Sequence, residues 1–170
     1  TNYMVISNTG STQAGIANTG WLDGMSVTKD GTYSFSIYAK GLDGFKGPIT
    51  VSILEGSNVL ATGTVPAVTA GWNKYELKLK TNAAASKNVK LQLTIGSGKV
   101  AVDMVSLFPE DTYKGRTNGM RKDLAEKLEA LNPSFLRFPG GCVIEGNKLE
   151  NAYDWKDSIG VDSNGNPIKF

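Results

Sequence analysis

A period of two runs through the chain from its first residues to about Pro109, and it sets the fold class before anything else does. Tyr33, Phe35, Ile37 and Ala39 alternate with Thr32, Ser34, Ser36, Tyr38 and Lys40. Ile49, Val51 and Ile53 alternate with Thr50 and Ser52. Tyr75, Leu77 and Leu79 alternate with Lys74, Glu76, Lys78 and Lys80, and Val89, Leu91, Leu93 and Ile95 with Lys90, Gln92 and Thr94. Successive side chains of a strand point to opposite faces, so each run describes a strand with one dry face and one wet face. Turn signals separate the runs: Asp30-Gly31, Asp43-Gly44, Glu55-Gly56-Ser57-Asn58, Ala70-Gly71 and Gly96-Ser97-Gly98. Many short strands at regular spacing predict a β-sandwich of jelly-roll type over residues 1–109. Between Val100 and Phe108 the alternation slips. Val100, Val102 and Met104 hold one parity while Val105 and Leu107 hold the other. A bulge, or burial on both faces, accounts for this and suits a central or closing strand.

After Pro109 the character changes. Residues 111–118 are polar and read as a connection. Met120, Leu124, Leu128 and Leu131 then fall on one helical stripe, with Thr117 or Asn118 as the expected cap and Pro133 as the stop. The strand Phe135-Leu136-Arg137-Phe138 follows and ends at Pro139-Gly140-Gly141-Cys142. A helix feeding a strand that ends in a glycine turn predicts one unit of an α/β fold, in which chemistry sits at the carboxyl ends of the strands. A short helix is expected near residues 151–156. About sixty residues cannot close a barrel that needs roughly 250. The predicted organisation is a sandwich over 1–109 and an incomplete α/β piece over 110–170.

The 170 residues contain no histidine and one cysteine. That removes Ser-His-Asp chemistry, His-liganded zinc and an intrachain disulfide. A net charge of +2 with scattered basic residues gives no electrostatic footprint for nucleic acid, and no apolar run is long enough to span a bilayer. Neither nucleic acid nor membrane is expected as a partner. Gly96-Ser97-Gly98-Lys99 lacks the flanking glycine and hydroxyl residue of a phosphate loop and reads as a hairpin turn.

Arg137 is the strongest candidate for a functional residue. Flanked by Phe135, Leu136 and Phe138, it is expected to be substantially buried, where a charge needs a partner. It would hold a carboxylate or a substrate hydroxyl, with a structural ion pair as the alternative. Gly140 and Gly141 would let the backbone turn sharply beside a ligand, and Cys142 would line the rim as a small side chain. Glu145 lies just past this turn and reads mainly as a loop-bracing carboxylate. Trp21, in a loop, and Tyr38, on the wet face of its strand, are candidates for stacking on sugar rings. Trp72 opens a strand after a turn and reads as core.

Four pieces carry a family resemblance: Thr112-Tyr113-Lys114-Gly115; Arg121-Lys122-Asp123-Leu124; the run from Pro133 through Phe135-Leu136-Arg137-Phe138-Pro139-Gly140-Gly141-Cys142-Val143-Ile144-Glu145-Gly146; and Trp155-Lys156. Together they resemble the α-L-arabinofuranosidases of glycoside hydrolase family 51, over about residues 109–160. The preceding sandwich is similar to the carbohydrate-binding-type domain inserted near the start of the plant-like members. The resemblance implies a retaining hydrolase that removes terminal α-L-arabinofuranosyl groups from arabinan and arabinoxylan, with two glutamates as acid/base and nucleophile. It implies an arabinose pocket to which Arg137, Gly140, Gly141 and Cys142 contribute. It implies a polysaccharide or oligosaccharide partner containing arabinose, no cofactor, and a structural calcium to which Asp103 would contribute. The family's acid/base glutamate follows an asparagine, and no Asn-Glu pair occurs here. The chain is therefore expected to be an internal piece without hydrolytic activity. Two alternatives stand beside it: a free-standing carbohydrate-binding module with an extension, and a spacer domain that binds no sugar.

Overall fold

The structure is a computed structural model that describes residues 2–22, 24–135, 137, 141 and 145–152. Among the described residues nine strands form two antiparallel sheets. Their ranges are β1 Met4–Asn8, β2 Ala14–Asn18, β3 Met25–Val27, β4 Thr32–Leu42, β5 Ile49–Glu55, β6 Asn58–Val65, β7 Asn73–Lys80, β8 Ala85–Ile95 and β9 Gly98–Pro109. One sheet runs β1-β9-β4-β7, and the other runs β2-β8-β5-β6 with β3 also on β8. The four alternating runs read from sequence correspond to β4, β5, β7 and β8.

The two inner faces make one core. Phe35, Ile37, Leu79, Val100 and Val102 come from the first sheet; Ile49, Val51, Ile53, Leu60, Val65, Val89, Leu93 and Ile95 come from the second. The register brings these residues opposite one another. Phe35 pairs with Leu77 of β7 and Leu107 of β9, and Val51 pairs with Leu93 of β8. At about 25 cal/mol per Å² of apolar surface removed from water, this layer supplies the main stabilisation of the unit. Buried polar groups are answered locally. Thr81 is almost fully buried, and its hydroxyl reaches the carbonyls of Thr28 and Gly31.

The slip of alternation in β9 is a bulge. The β4–β9 register shifts between Ser36 and Tyr38, and Met104 takes a left-handed φ of 50°. The extra residue moves Met104 and Val105 out of phase, which turns the parity from Val102 to Leu107. Burial on both faces occurs as well, since Val100, Ala101 and Val102 are all buried in a strand flanked by β1 and β4.

The helix α1 spans Lys122–Ala130, so it begins later than caps at Thr117 or Asn118 would place it. The residues ahead of it are held by a different arrangement. Thr112 bridges Arg121, the Tyr113 amide donates to the Met120 carbonyl at 3.0 Å, and the Gly119 amide donates to the Arg116 carbonyl at 3.0 Å. The helix ends as expected before Pro133. Asn132 adopts a left-handed φ of 46°, and its amide bonds the Glu129 carbonyl at 2.9 Å. The chain divides into two compact units, Thr1–Glu126 and Lys127–Phe170. Residues 110–126 group with the first of these units. Besides their local bonds, this segment is tied to the first sheet by Glu110, which meets Lys78 and Ser34. In the second unit a short 3-10 turn covers Leu149–Asn151, close to the short helix expected near 151–156, of which residues 153–156 lie outside the described residues. Phe135 and Arg137 are not paired in a strand, and Leu136 and Phe138 lie outside the described residues.

Candidate functional site

Arg137 departs from expectation. Its side chain is 76% exposed, and its Nη2 lies 3.5 Å from Oε1 of Glu145, itself well exposed. The burial argument required a packed strand around it. Instead Phe135 is exposed, and the helical stripe of Leu124, Leu128 and Leu131 is exposed too, so no apolar layer among the described residues shields the guanidinium. The Glu145 carboxylate lies within ion-pair reach of the arginine. An exposed pair of this kind contributes about 0–1 kcal/mol. Its guanidinium keeps donors turned to solvent and available to a ligand oxygen. Gly141 has a φ of 97°, and a Cβ built there would meet nothing within 4 Å. The backbone is therefore left-handed, which favours glycine, with open space beside it. The Gly141 carbonyl accepts the Glu145 amide at 3.3 Å, which places the acid one turn beyond the glycine. Gly140 and Cys142 lie outside the described residues.

The other candidates lie in the sandwich and apart from one another along the chain. Trp21 is 84% exposed on the loop joining β2 to β3. Beside that loop a groove of about 520 Å³ is lined by Thr19, Leu22, Glu55, Asn58, Asn88 and Lys90. The groove offers polar side chains, a lining compatible with hydroxyl-rich ligands, but Trp21 itself is not part of that lining. Tyr38 stands on the outer face of the first sheet, paired across to Lys74 on β7 and Asp103 on β9, and is 40% exposed. The Oδ1 atom of Asp103 accepts the Met104 amide at 2.7 Å, which serves the bulge. No group of three or more acidic, cysteine or histidine side chains placed to hold a metal ion occurs among the described residues.

Trp72 is a correction. Its place at the start of a strand after a turn predicts core, yet it is exposed on the outer face of the first sheet. Its parity gives the reason: it is in phase with Lys74, Glu76 and Lys78, whose partners on β4 face outward. Its neighbour there is Tyr3, with ring centroids 5.4 Å apart and planes at 73°. Sequence reasoning missed Tyr3 because it precedes β1 and belongs to no alternating run.

Two carboxylates, Glu110 and Asp123, are held away from the state an acid catalyst needs. A glycosidase's general acid needs a carboxyl held above its ordinary range. The hydrogen bond from Lys78, with that from Ser34, holds Glu110 below the usual carboxylate range, and the bond from Arg121 does the same to Asp123.

Residues 127–168 match the family model described as the α-L-arabinofuranosidase 1 domain. The chain is 37% identical over 156 residues to an extracellular exo-α-L-arabinofuranosidase of Streptomyces chartreusis, covering 85% of this chain and 18% of that protein. It is 33% identical over 150 residues to α-L-arabinofuranosidase 1 of Arabidopsis thaliana, covering 86% of this chain and 22% of that one. The solved structure of an arabinose-bound MgGH51 α-L-arabinofuranosidase superposes with a TM-score of 0.80 at 32% identity, over 93% of this chain and 27% of that one. The chain spans about a fifth of the length of these curated relatives. With a match that runs through both the sandwich and the residues after it, the chain belongs to the α-L-arabinofuranosidases of glycoside hydrolase family 51, as a segment made of the β-sandwich and the start of the barrel domain.

Proposed function

We propose that this chain is the non-catalytic sandwich and barrel-start segment of a retaining hydrolase that releases terminal α-L-arabinofuranosyl groups from arabinan or arabinoxylan. The observation that carries the reading is the continuous likeness to an arabinose-bound family 51 enzyme over 93% of the chain. Retaining hydrolysis needs two carboxyl groups about 5–5.5 Å apart, one protonating the leaving oxygen and one attacking the anomeric carbon. In this reading both come from parts of the enzyme with no counterpart in this segment. The turn at Arg137, Gly140, Gly141 and Cys142 forms one wall of the arabinose pocket. Arg137 donates hydrogen bonds to sugar hydroxyls or to the nucleophilic carboxylate, held in place by Glu145. Its task is positioning: a guanidinium presents several donors in a fixed plane, so it fixes the furanose ring against the attacking oxygen. The glycines leave room for the ring, and Cys142 lines the subsite. Trp21 and Tyr38 are read as contacts for the polysaccharide, an arabinose-containing glycan.

The test uses the protein encoded by the complete reading frame. It should release arabinofuranose with retained configuration. Arg137→Ala should lower kcat/KM on a nitrophenyl α-L-arabinofuranoside by about a hundredfold, the scale of a misplaced reacting group. Arg137→Lys should restore little, because the planar fork is lost. An unchanged kcat/KM in Arg137→Ala would refute the pocket assignment.

A further inference from the structure

The outer face of the first sheet carries a cluster of which the hydrolase reading uses only Tyr38. Lys40, on β4, holds its Nζ 5.2 Å from the ring centroid of Tyr3 and 5.1 Å from that of Trp72. The two rings stand nearly perpendicular and form a notch with the ammonium between them. Tyr38 lies two residues before Lys40 on the same strand and the same face. All three aromatic side chains are exposed, with Tyr3 at 50% and Trp72 at 39%. Beneath them, Ala101 is opposite Lys40 in β9 and is fully buried although its parity points outward.

The charges around this cluster are the second observation. Lysines elsewhere on the same sheet are matched: Lys74 with Glu76, Lys78 with Glu110, Lys80 with Asp30, and Lys99 with Asp43. Lys40 forms no ion pair among the described residues; only aromatic faces meet its charge. Ring faces attract an ammonium but leave its N–H donors without an oxygen acceptor. The notch therefore offers a cation with unused donors, flanked by aromatic surfaces on which the C–H face of a sugar can lie.

We propose that this face binds a uronate-bearing glycan, with the carboxylate on Lys40 and neighbouring rings against Trp72, Tyr3 and Tyr38. The charge-assisted bond selects the acidic sugar, and the aromatic surfaces hold its ring. The choice of a glycan as ligand rests on the arabinofuranosidase reading; the site itself does not depend on hydrolysis. It would hold the enzyme to acidic polysaccharide while the pocket acts on neutral side groups.

The experiment is calorimetry on the 170-residue chain with trigalacturonate and, separately, with arabinotriose. Trigalacturonate should bind saturably, and arabinotriose should bind about tenfold more weakly or not at all. Lys40→Gln should weaken trigalacturonate about tenfold, and raising NaCl from about 0.05 to 0.5 M should weaken it several-fold. Trp72→Ala should abolish binding, with its circular dichroism spectrum compared with the parent chain. Lys74→Gln removes a lysine already paired and should leave affinity unchanged. Equal affinity for the two trisaccharides, no binding of trigalacturonate, or wild-type affinity in Lys40→Gln would overturn the proposal. Loss of stability in Trp72→Ala with unaltered affinity would make the cluster a structural cover for Ala101 and would overturn it as well. Hydrolysis by the full enzyme with no binding at this face would refute this inference alone; binding at this face in a full enzyme that releases no arabinofuranose would refute the arabinofuranosidase reading alone.

Discussion

Replacing Phe35 by alanine separates the sandwich core from the residues that follow it. Phe35 is 1% exposed, paired in register with Leu77 and Leu107, and belongs to the cluster formed by both sheets. Truncating a buried phenylalanine costs about 3–5 kcal/mol, the sum of lost burial and the cavity left behind. The first unit runs from Thr1 to Glu126. With an unfolding entropy of about 2.1 cal/mol/K per residue, a loss of that size lowers its Tm by about 10–20 °C. The matched control is Leu128→Ala on α1, where the side chain is 62% exposed and the change should stay within about 0.5 kcal/mol. Urea unfolding followed by circular dichroism and tryptophan fluorescence measures both, with the m-value expected to hold constant. A Phe35→Ala cost below about 1 kcal/mol would refute the assignment of the core. A Leu128→Ala cost as large as that of Phe35→Ala would show that the helical stripe is buried in solution.

Two further outcomes follow from local geometry. Gly41→Ala puts a Cβ 1.8 Å from the Phe45 carbonyl oxygen, and Gly41 is held by its amide bond to the Thr69 carbonyl at 2.7 Å. The clash is with backbone, so the variant should lose about 3 kcal/mol or more in thermal denaturation; wild-type stability would show that the turn after β4 is placed differently. The Glu110 carboxyl should titrate below an ordinary glutamate, because Lys78 and then Ser34 hydrogen-bond its charged form. A folded-state pKa lowered in this way contributes stability above the unfolded-state pKa, and that contribution disappears as pH falls through the folded value. Carbon-detected NMR should show the Glu110 midpoint rising toward the ordinary range in Lys78→Met, and an unmoved midpoint would refute the pairing.

The sandwich is legible in the sequence where strands have one wet face. β4, β5, β7 and β8 announce themselves because a core on one side and water on the other force alternation. β2 gives no such signal. Its residues are mostly exposed, and Gly15 is required where the Leu93 carbonyl approaches within 1.8 Å of an added Cβ. β6 is obscured by the register shift between Ile53 and Leu54 on its partner β5. The exposure of Trp72 is encoded in the sequence, since its parity follows the lysines of β7. Arg137 illustrates the opposite limit. The sequence supplies its apolar neighbours, but burial depends on layers packed against them, and the helical stripe that precedes it is exposed among the described residues. The likeness to the arabinofuranosidases came from short motifs after Pro109, which periodicity alone does not interpret.

The most direct test is hydrolysis of a nitrophenyl α-L-arabinofuranoside by the purified 170-residue chain. The chain covers about a fifth of the length of the arabinofuranosidases it matches, and the hydrogen bonds at Glu110 and Asp123 hold those two carboxyls below the usual range. The segment should therefore give no release above the buffer rate, while the protein from the complete reading frame turns the substrate over. Saturable turnover by the segment that disappears in Glu145→Gln would contradict the account and move the chemistry onto the glycine turn itself.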